Sequence, residues 1–264
     1  MEFWLLYLAV GAFAGFLAGL LGVGGGLVIV PVLAFIFAAQ HFPAGLIMHL
    51  ALGTSLASIM FTSVSSLRAH HGHGAVNWRV VRGIAPGIVA GTLAGSVLAA
   101  HLSTLFLKVF FVVFLYYVAV QMVLNIKPEP SRDLPGTAGM FGAGSVIGAV
   151  SSLVGIGGGT LSVPFMTWCN VRLHQAIGTS AAIGFPIAAA GALGYIANGW
   201  ALDDLPPYSL GFVYLPALAG LVGASVLVAP FGARLAHRLP VAKLKTVFAL
   251  LLFTLGTRML SSLL

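Results

Sequence analysis

The 264-residue sequence carries 12 Lys and Arg, 5 Asp and Glu and 59 % hydrophobic residues, for a net charge of +7. Only 6 % of its residues are charged, against about 25 % in an ordinary globular protein, and its mean hydropathy is +1.08. So few polar groups could not cover the surface of a soluble fold, so the composition excludes one and defines an integral membrane protein.

No Asp, Glu, Lys or Arg falls within 3–67, 83–107, 109–126, 134–171, 173–202 or 205–233. A spanning helix needs about 20 apolar residues and an outer-membrane strand about 10 of alternating polarity. These runs have helical length and do not alternate, which predicts an all-α polytopic bundle. In chain order, a long apolar region over 3–40 is interrupted by Gly22-Val23-Gly24-Gly25-Gly26-Leu27-Val28-Ile29-Val30-Pro31. Helices are expected near 44–66, 82–101 and 104–125. A polar linker follows at 127–135, then a second long region, 136–169, interrupted by Gly155-Ile156-Gly157-Gly158-Gly159-Thr160-Leu161-Ser162-Val163-Pro164. Further helices are expected near 175–197, 208–230 and 242–262. Glu2 precedes the first apolar stretch where a secretory signal would carry basic residues, so the N-terminus is read as retained.

The two Gly segments are identical at six of ten positions. Gly53-Thr54-Ser55 recurs as Gly178-Thr179-Ser180 and Leu107-Lys108 as Leu244-Lys245, with Asn77-Trp78 loosely echoed by Asn198-Gly199-Trp200. The order is the same in both halves. The expected organisation is a first transmembrane repeat over 1–126, a cytoplasmic linker over 127–135 and a second transmembrane repeat over 136–264.

Loop charges select a topology. If each long region crossed once, Lys and Arg would divide six against six between the two sides. If each makes a hairpin, one side holds ten of the twelve, leaving only Lys108 and Arg258 opposite. Such a split follows the positive-inside rule, and it accounts for the basic excess without a nucleic-acid partner. The hairpin arrangement makes the two repeats inverted, with the N-terminus, Asp203-Asp204 and the C-terminus outside. Each repeat is then a Gly-broken helical hairpin followed by three transmembrane helices, the architecture of secondary transporters.

Consecutive glycines at bilayer depth expose backbone N–H groups that protein or a water-filled cavity must satisfy. Pro31 and Pro164, five residues past the last Gly of each segment, suit the opening of a second helix. That helix would aim its N-terminal amides at the break, an anion site. The alternative is a close-packing face of small residues. Thr54, Ser55, Thr179 and Ser180 begin the next helices, and Ser58, Thr62 and Ser63 continue a hydroxyl stripe that serves either an oxyanion or interhelical contacts.

All five acids, Glu2, Glu129, Asp133, Asp203 and Asp204, fall at the terminus or in loops, which disfavours cation transport. His49, His101 and His174 are candidate proton carriers or interfacial histidines. His70-His71-Gly72-His73 reads as a basic loop rather than a metal tract, and Cys169 as a small packing residue or a thiol beside the pocket. With no intramembrane His/Asp/Glu constellation, no enzyme activity, cofactor or metal is expected. Membrane lipids are a partner by composition, and a homo-oligomer is compatible with the sequence.

The paired Gly-x-Gly-Gly-Gly-x4-Pro segments, each followed by Gly-Thr-Ser, resemble the sulfite exporter TauE/SafE family, also called the toluene sulfonate uptake permease family, over essentially the whole chain. The resemblance implies a transporter of sulfite, a sulfonate or another small sulfur anion in the bacterial cytoplasmic membrane, with an anion channel or a carrier for a different organic anion as the alternative. It also implies a substrate path lined by Gly24, Gly25, Gly26, Thr54, Ser55, Gly157, Gly158, Gly159, Thr179 and Ser180. Thr160 and Ser162 stand where the first copy has Leu27 and Ile29, so the second copy would supply more donors. Valine at Gly25 or Gly158 is expected to abolish transport while the protein still inserts.

Overall fold

The computed structural model describes residues 2–21, 25–124, 131–236 and 241–262. Among them are ten helices: α1 (Glu2–Leu21), α2 (Gly26–Ala39), α3 (Ile47–Gly72), α4 (Trp78–His101), α5 (Thr104–Val123), α6 (Thr137–Val154), α7 (Gly159–Trp168), α8 (Leu173–Gly199), α9 (Leu215–Ala236) and α10 (Val241–Ser261). Seven of these, all but α2, α7 and α10, are long and apolar enough to cross a membrane.

Helices α3 and α8 form the centre: 78 % and 72 % of their apolar spans are buried, against 44 % or less for the other five. Their contacts run in opposite chain directions. Ala75, just past α3, meets Gly178, Ser63 meets Gly184, Leu56 meets Gly191, and Gly53 meets Tyr195, so the two helices are antiparallel. On one flank α1 packs along α9, and on the other α4 packs along α6. Both of these pairs are parallel. Gly11 and Gly15 abut the backbone of Leu221 and Ser225, while Gly87, Gly91 and Gly95 abut Phe141, Ser145 and Ala149. Glycines at this helical spacing let main chains approach without side chains between them, the small-residue seam common in membranes. α5 packs on α10, antiparallel, with Tyr116 against Gly256 and the Lys108 ammonium donating to the Ser262 carbonyl at 3.1 Å.

The helix starts follow local chemistry. The Asn77 side chain accepts from the Val80 amide at 3.3 Å and that of Ser103 from the Phe106 amide at 3.2 Å, so α4 and α5 open on side-chain caps.

Three sequence expectations need correction. The helix expected near 208–230 begins at Leu215, because Ser209–Leu210 and Val213–Tyr214 pair as a tight antiparallel hairpin turning at Gly211, φ +53°. Pro31 and Pro164 lie one turn inside α2 and α7 rather than at their openings; the helices start on the glycines themselves, whose own amides are the orphans. Asn77-Trp78 opens α4 whereas Trp200 ends α8, so the echo between them is not structural.

Candidate functional site

Each half contains the expected helix, Gly break and helix, but the breaks differ in conformation. At the first, α1 ends at Leu21 and α2 begins after Gly25, which is left-handed at φ +73°. At the second, Gly155 is left-handed at φ +67° as it ends α6, and Gly158 has ordinary helical angles as it opens α7. Gly24 lies outside the described residues.

The breaks touch across the centre of the bundle. Gly26 is packed against the Gly155 carbonyl and lies so close to Ile156 that an added Cβ would be 2.9 Å from its Cα. The Ser55 hydroxyl donates to that same Gly155 carbonyl at 2.7 Å. Ser55 therefore ties α3 to the break of the other half.

The Gly-Thr-Ser repeats have an equivalent local role. Thr54 Oγ1 accepts from the Tyr214 amide at 2.9 Å, and Thr179 Oγ1 accepts from the Asn77 amide at 2.9 Å. Gly53 abuts the Phe212 carbonyl and Gly178 the Ala75 carbonyl. In each half the glycine admits chain from the other half, the segment entering α9 at Gly53 and the segment entering α4 at Gly178, and the threonine satisfies one of its backbone donors. Ser180 donates to its own helix at Ile177, 2.7 Å away. The residues read as one site thus separate: Thr54 and Thr179 sit at the two ends of the α3/α8 pair, and the breaks and serines sit between them.

A small cavity, with room for about one water molecule, lies beside the second break. Gly157, Gly158, Ser180, Ala181 and Gly184 form one wall, and Ile59, Thr62, Ser63 and Ser66 of α3 with Ala18 of α1 form the other. Among the described residues, no charged side chain lines it. Thr62 Oγ1 is shared with Ser225 at 2.9 Å, and Ser63 donates to Met60 at 3.0 Å. Ser66 Oγ, in contrast, has no hydrogen-bond partner although the residue is 3 % exposed. Thr160 and Ser162 in the first turn of α7, and Ser151 in the last turn of α6, are also buried with unpartnered hydroxyls. Ser66 and Ser151 were not singled out in the sequence. Ser66 could have been, since it continues Ser58 and Thr62 at a spacing of four.

The other candidates lie elsewhere. His49 bonds the Ala99 carbonyl at 3.0 Å and stacks on Phe212 at 5.0 Å, beneath the 209–214 hairpin. His101 bonds Val97 at 2.8 Å on the exposed end of α4. Cys169 follows α7, where Arg132 lies over Trp168 at 5.0 Å; burial pushes the thiol up and the guanidinium only partly opposes it. His71 accepts from the Trp78 indole at 3.4 Å. Among the described residues no three His, Cys, Asp or Glu side chains gather as a metal site.

A bundle of apolar helices broken at its centre, with a small cavity at the break and no charged side chain among its described lining residues, has the form of a membrane transporter. Residues 7–259 match the family model for the sulfite exporter TauE/SafE, and the chain belongs to that family. It is 40 % identical to a probable membrane transporter protein of Haemophilus influenzae over 97 % of this chain and 98 % of that one. It is also 26 % identical to a probable membrane transporter protein of Methanocaldococcus jannaschii over 97 % and 94 % of the two chains. No solved structure matches it. The family and these relatives are membrane transporters, not enzymes.

Proposed function

We propose that this protein carries a small sulfur-containing anion, sulfite or an organosulfonate, across the bacterial cytoplasmic membrane by alternating access. The observation that carries the reading is the second break, where Gly157 and Gly158 lead into α7 beside a small space that also touches Ser66, buried and unpartnered, and has no carboxylate among its described lining residues. Amide and hydroxyl donors suit an oxyanion, and a pocket without fixed positive charge can release it again. A cation would find no counter-charge there.

The transport cycle follows from reading the chain as two inverted repeats, 1–126 and 136–264, joined by the 127–135 linker. The antiparallel α3/α8 and α5/α10 pairs and the exchange of partners between α1·α9 and α6·α4 support this reading. So does the ten-to-two division of basic residues, which sets the termini and Asp203-Asp204 outside. In alternating access the two arrangements of such repeats expose a central site to each side in turn. In this structure the 209–214 hairpin covers one end of α3/α8, with Phe212 buried against Tyr195 and His49. The cavity lies toward the other end, beside Ser66 and Ser180.

The test is counterflow of labelled sulfite in proteoliposomes, competed by sulfoacetate, thiosulfate, sulfate and chloride, with and without a proton gradient. Saturable uptake competed by sulfur oxyanions but not by chloride is expected, and its response to the gradient reads out proton coupling. Ohmic current without counterflow would identify a channel and refute the carrier.

A further inference from the structure

Each central helix sends the chain that follows it across the first turns of the other, and the two crossings match residue for residue. After α3, Gly74-Ala75-Val76-Asn77 lies over the start of α8; after α8, Gly211-Phe212-Val213-Tyr214 lies over the start of α3. Both straps open on a left-handed glycine, φ +66° at Gly74 and +53° at Gly211. The second residue of each donates its amide back to its own helix, Ala75 to the His70 carbonyl at 3.1 Å and Phe212 to the Tyr195 carbonyl at 3.2 Å. Its carbonyl packs on Gly178 or Gly53 of the other helix, and the amide of the fourth residue donates to Thr179 or Thr54 at 2.9 Å. Helices α4 and α9 each begin one residue later, so the structural counterpart of Asn77 is Tyr214.

The straps differ in two respects. A histidine stands four residues before each covered glycine, His49 before Gly53 and His174 before Gly178. The Phe212 ring stacks on His49 at 5.0 Å and lies edge-on to Tyr195 at 6.3 Å, and His49 is buried. At the other end, where the strap offers only the Ala75 methyl, His174 is exposed. The second difference is slack. Ala75 is five residues past His70, the residue that holds it, so that strap cannot shift without unwinding the end of α3. Phe212 is seventeen residues past Tyr195, and from Trp200 on the intervening chain has left α8. It runs through the exposed Asp203-Asp204 turn and through Tyr208, a non-glycine residue held left-handed at φ +67°. That conformation is costly for an L-residue and clusters in segments that switch. We infer that the Gly211–Tyr214 strap is the moving gate of the transport cycle, with Phe212 as its plug over His49, and that the Gly74–Asn77 strap stays in place. This rests on the transport reading above and assigns the part that moves. The structure shows the gate shut. Opening it breaks the hydrogen bonds of Phe212 to Tyr195 and of Tyr214 to Thr54, together with the stack on His49, and it uncovers that end of α3/α8 without parting the two helices. An anion arriving from the Asp203-Asp204 side enters between them once Phe212 has swung away.

The test locks each strap in turn. In a Cys169→Ser background, Thr54→Cys/Tyr214→Cys places a thiol on each side of one 2.9 Å contact, and Asn77→Cys/Thr179→Cys does the same at the other. Mercuric ion bridges either pair and dithiothreitol removes it, whereas a disulfide would be cleaved by sulfite itself. Sulfite counterflow of each variant with mercury is read against its own flux without it, so that loss of the threonine cancels. Bridging 54 to 214 should cut the flux about tenfold or more, as locking a lid that opens in every cycle does, and dithiothreitol should restore it. Bridging 77 to 179 should leave that variant's flux within about twofold of its unbridged value, as at a contact that does not open. Undiminished flux with 54 bridged to 214 would mean that the strap does not open, and an equal loss with 77 bridged to 179 would mean that both straps do; either overturns the inference. The seal is read separately and without sulfite, as the rate at which a membrane-impermeant maleimide labels His49→Cys in the same background. Adding Phe212→Ala should raise that rate about tenfold or more by uncovering the site, and an unchanged rate would show that Phe212 is no plug. The labelling also decides the matter should a cysteine pair fail to fold or to bridge. Absence of sulfite counterflow in the wild type would refute the transport reading, while the labelling would still report whether Phe212 seals this end.

Discussion

Alanine at Gly25 and alanine at Gly158 are the same chemical change at aligned positions, and the structure predicts opposite consequences. Gly25 sits at φ +73°, a conformation that costs an L-residue about 1–2 kcal/mol. Its added Cβ would also come within 2.8 Å of the Ala14 carbonyl, a backbone atom fixed in α1, where overpacking costs a further 1–3 kcal/mol or so. The sum, about 2–5 kcal/mol, is a large share of a typical folding free energy. Gly158 has helical angles of φ −65° and ψ −17°. Its Cβ would meet Ile183 Cγ2 at 2.9 Å, Ile187 Cδ1 at 3.1 Å and Ser162 Oγ at 3.4 Å, side-chain rather than backbone atoms, of which Ile183 must shift. The cost to the fold there is about 1 kcal/mol, the low end for overpacking, at a residue that lines the cavity. Thermal unfolding of the purified variants and counterflow over a range of sulfite concentrations separate the two effects. Gly25→Ala should melt several degrees below wild type. Gly158→Ala should melt close to wild type but transport with a raised KM. A Gly25→Ala protein as stable as wild type, or a Gly158→Ala protein with wild-type flux and KM, would refute the reasoning.

Thr54→Val and Thr179→Val each leave a backbone amide, that of Tyr214 or Asn77, without its acceptor; a loss of about 1–3 kcal/mol in thermal stability is expected for each, with Ser at either position restoring most of it. In a Cys169→Ser background, a cysteine placed at Asp203 should react with a membrane-impermeant maleimide from outside the cell; labelling only from the cytoplasm would overturn the inverted arrangement. Burial holds the Cys169 thiol above its ordinary range, so its alkylation should still be rising at alkaline pH where an exposed cysteine has levelled off. Arg132→Ala removes the opposing positive charge and should slow that alkylation further; a faster reaction would assign the shift to the wrong cause. Gly91→Leu, at a position where an added Cβ would collide with the Ser145 backbone, should abolish assembly of the bundle, read as loss of a monodisperse protein in detergent.

Length and hydropathy made the helices legible: those expected near 44–66, 82–101, 104–125 and 175–197 overlap α3, α4, α5 and α8 closely, because at bilayer depth only helices satisfy the backbone. The breaks were legible too, as interruptions between α1 and α2 and between α6 and α7, although the two copies take different conformations. What the repeat concealed was that the copies differ in use. Thr54 and Thr179 are candidate ligand donors in the sequence; in the structure each oxygen also accepts an amide of the chain entering α9 or α4 of the other half, a contact across more than a hundred residues that no local pattern signals. Ser66 and Ser151 are ordinary serines in apolar helices, and what marks them is the lack of a partner, visible only once the packing is known. The hairpin at 209–214 was read as helix because its Phe212, Val213 and Tyr214 continue an apolar run; Phe212 is apolar in order to fill the space between Gly53 and Tyr195.

The parallel glycine seams have a consequence for what moves. Helix α1 is joined along its length to α9, and α6 to α4, so each half of the sequence lends its first helix to the other, as the arms of two linked clasps would. A rigid piece defined by such a seam contains chain from both halves. Cleaving the polypeptide at the linker would give two fragments that each expose a glycine-faced groove, and neither should be stable alone. Synthesised together they should rejoin, because each carries the helix that the other's groove was shaped to hold.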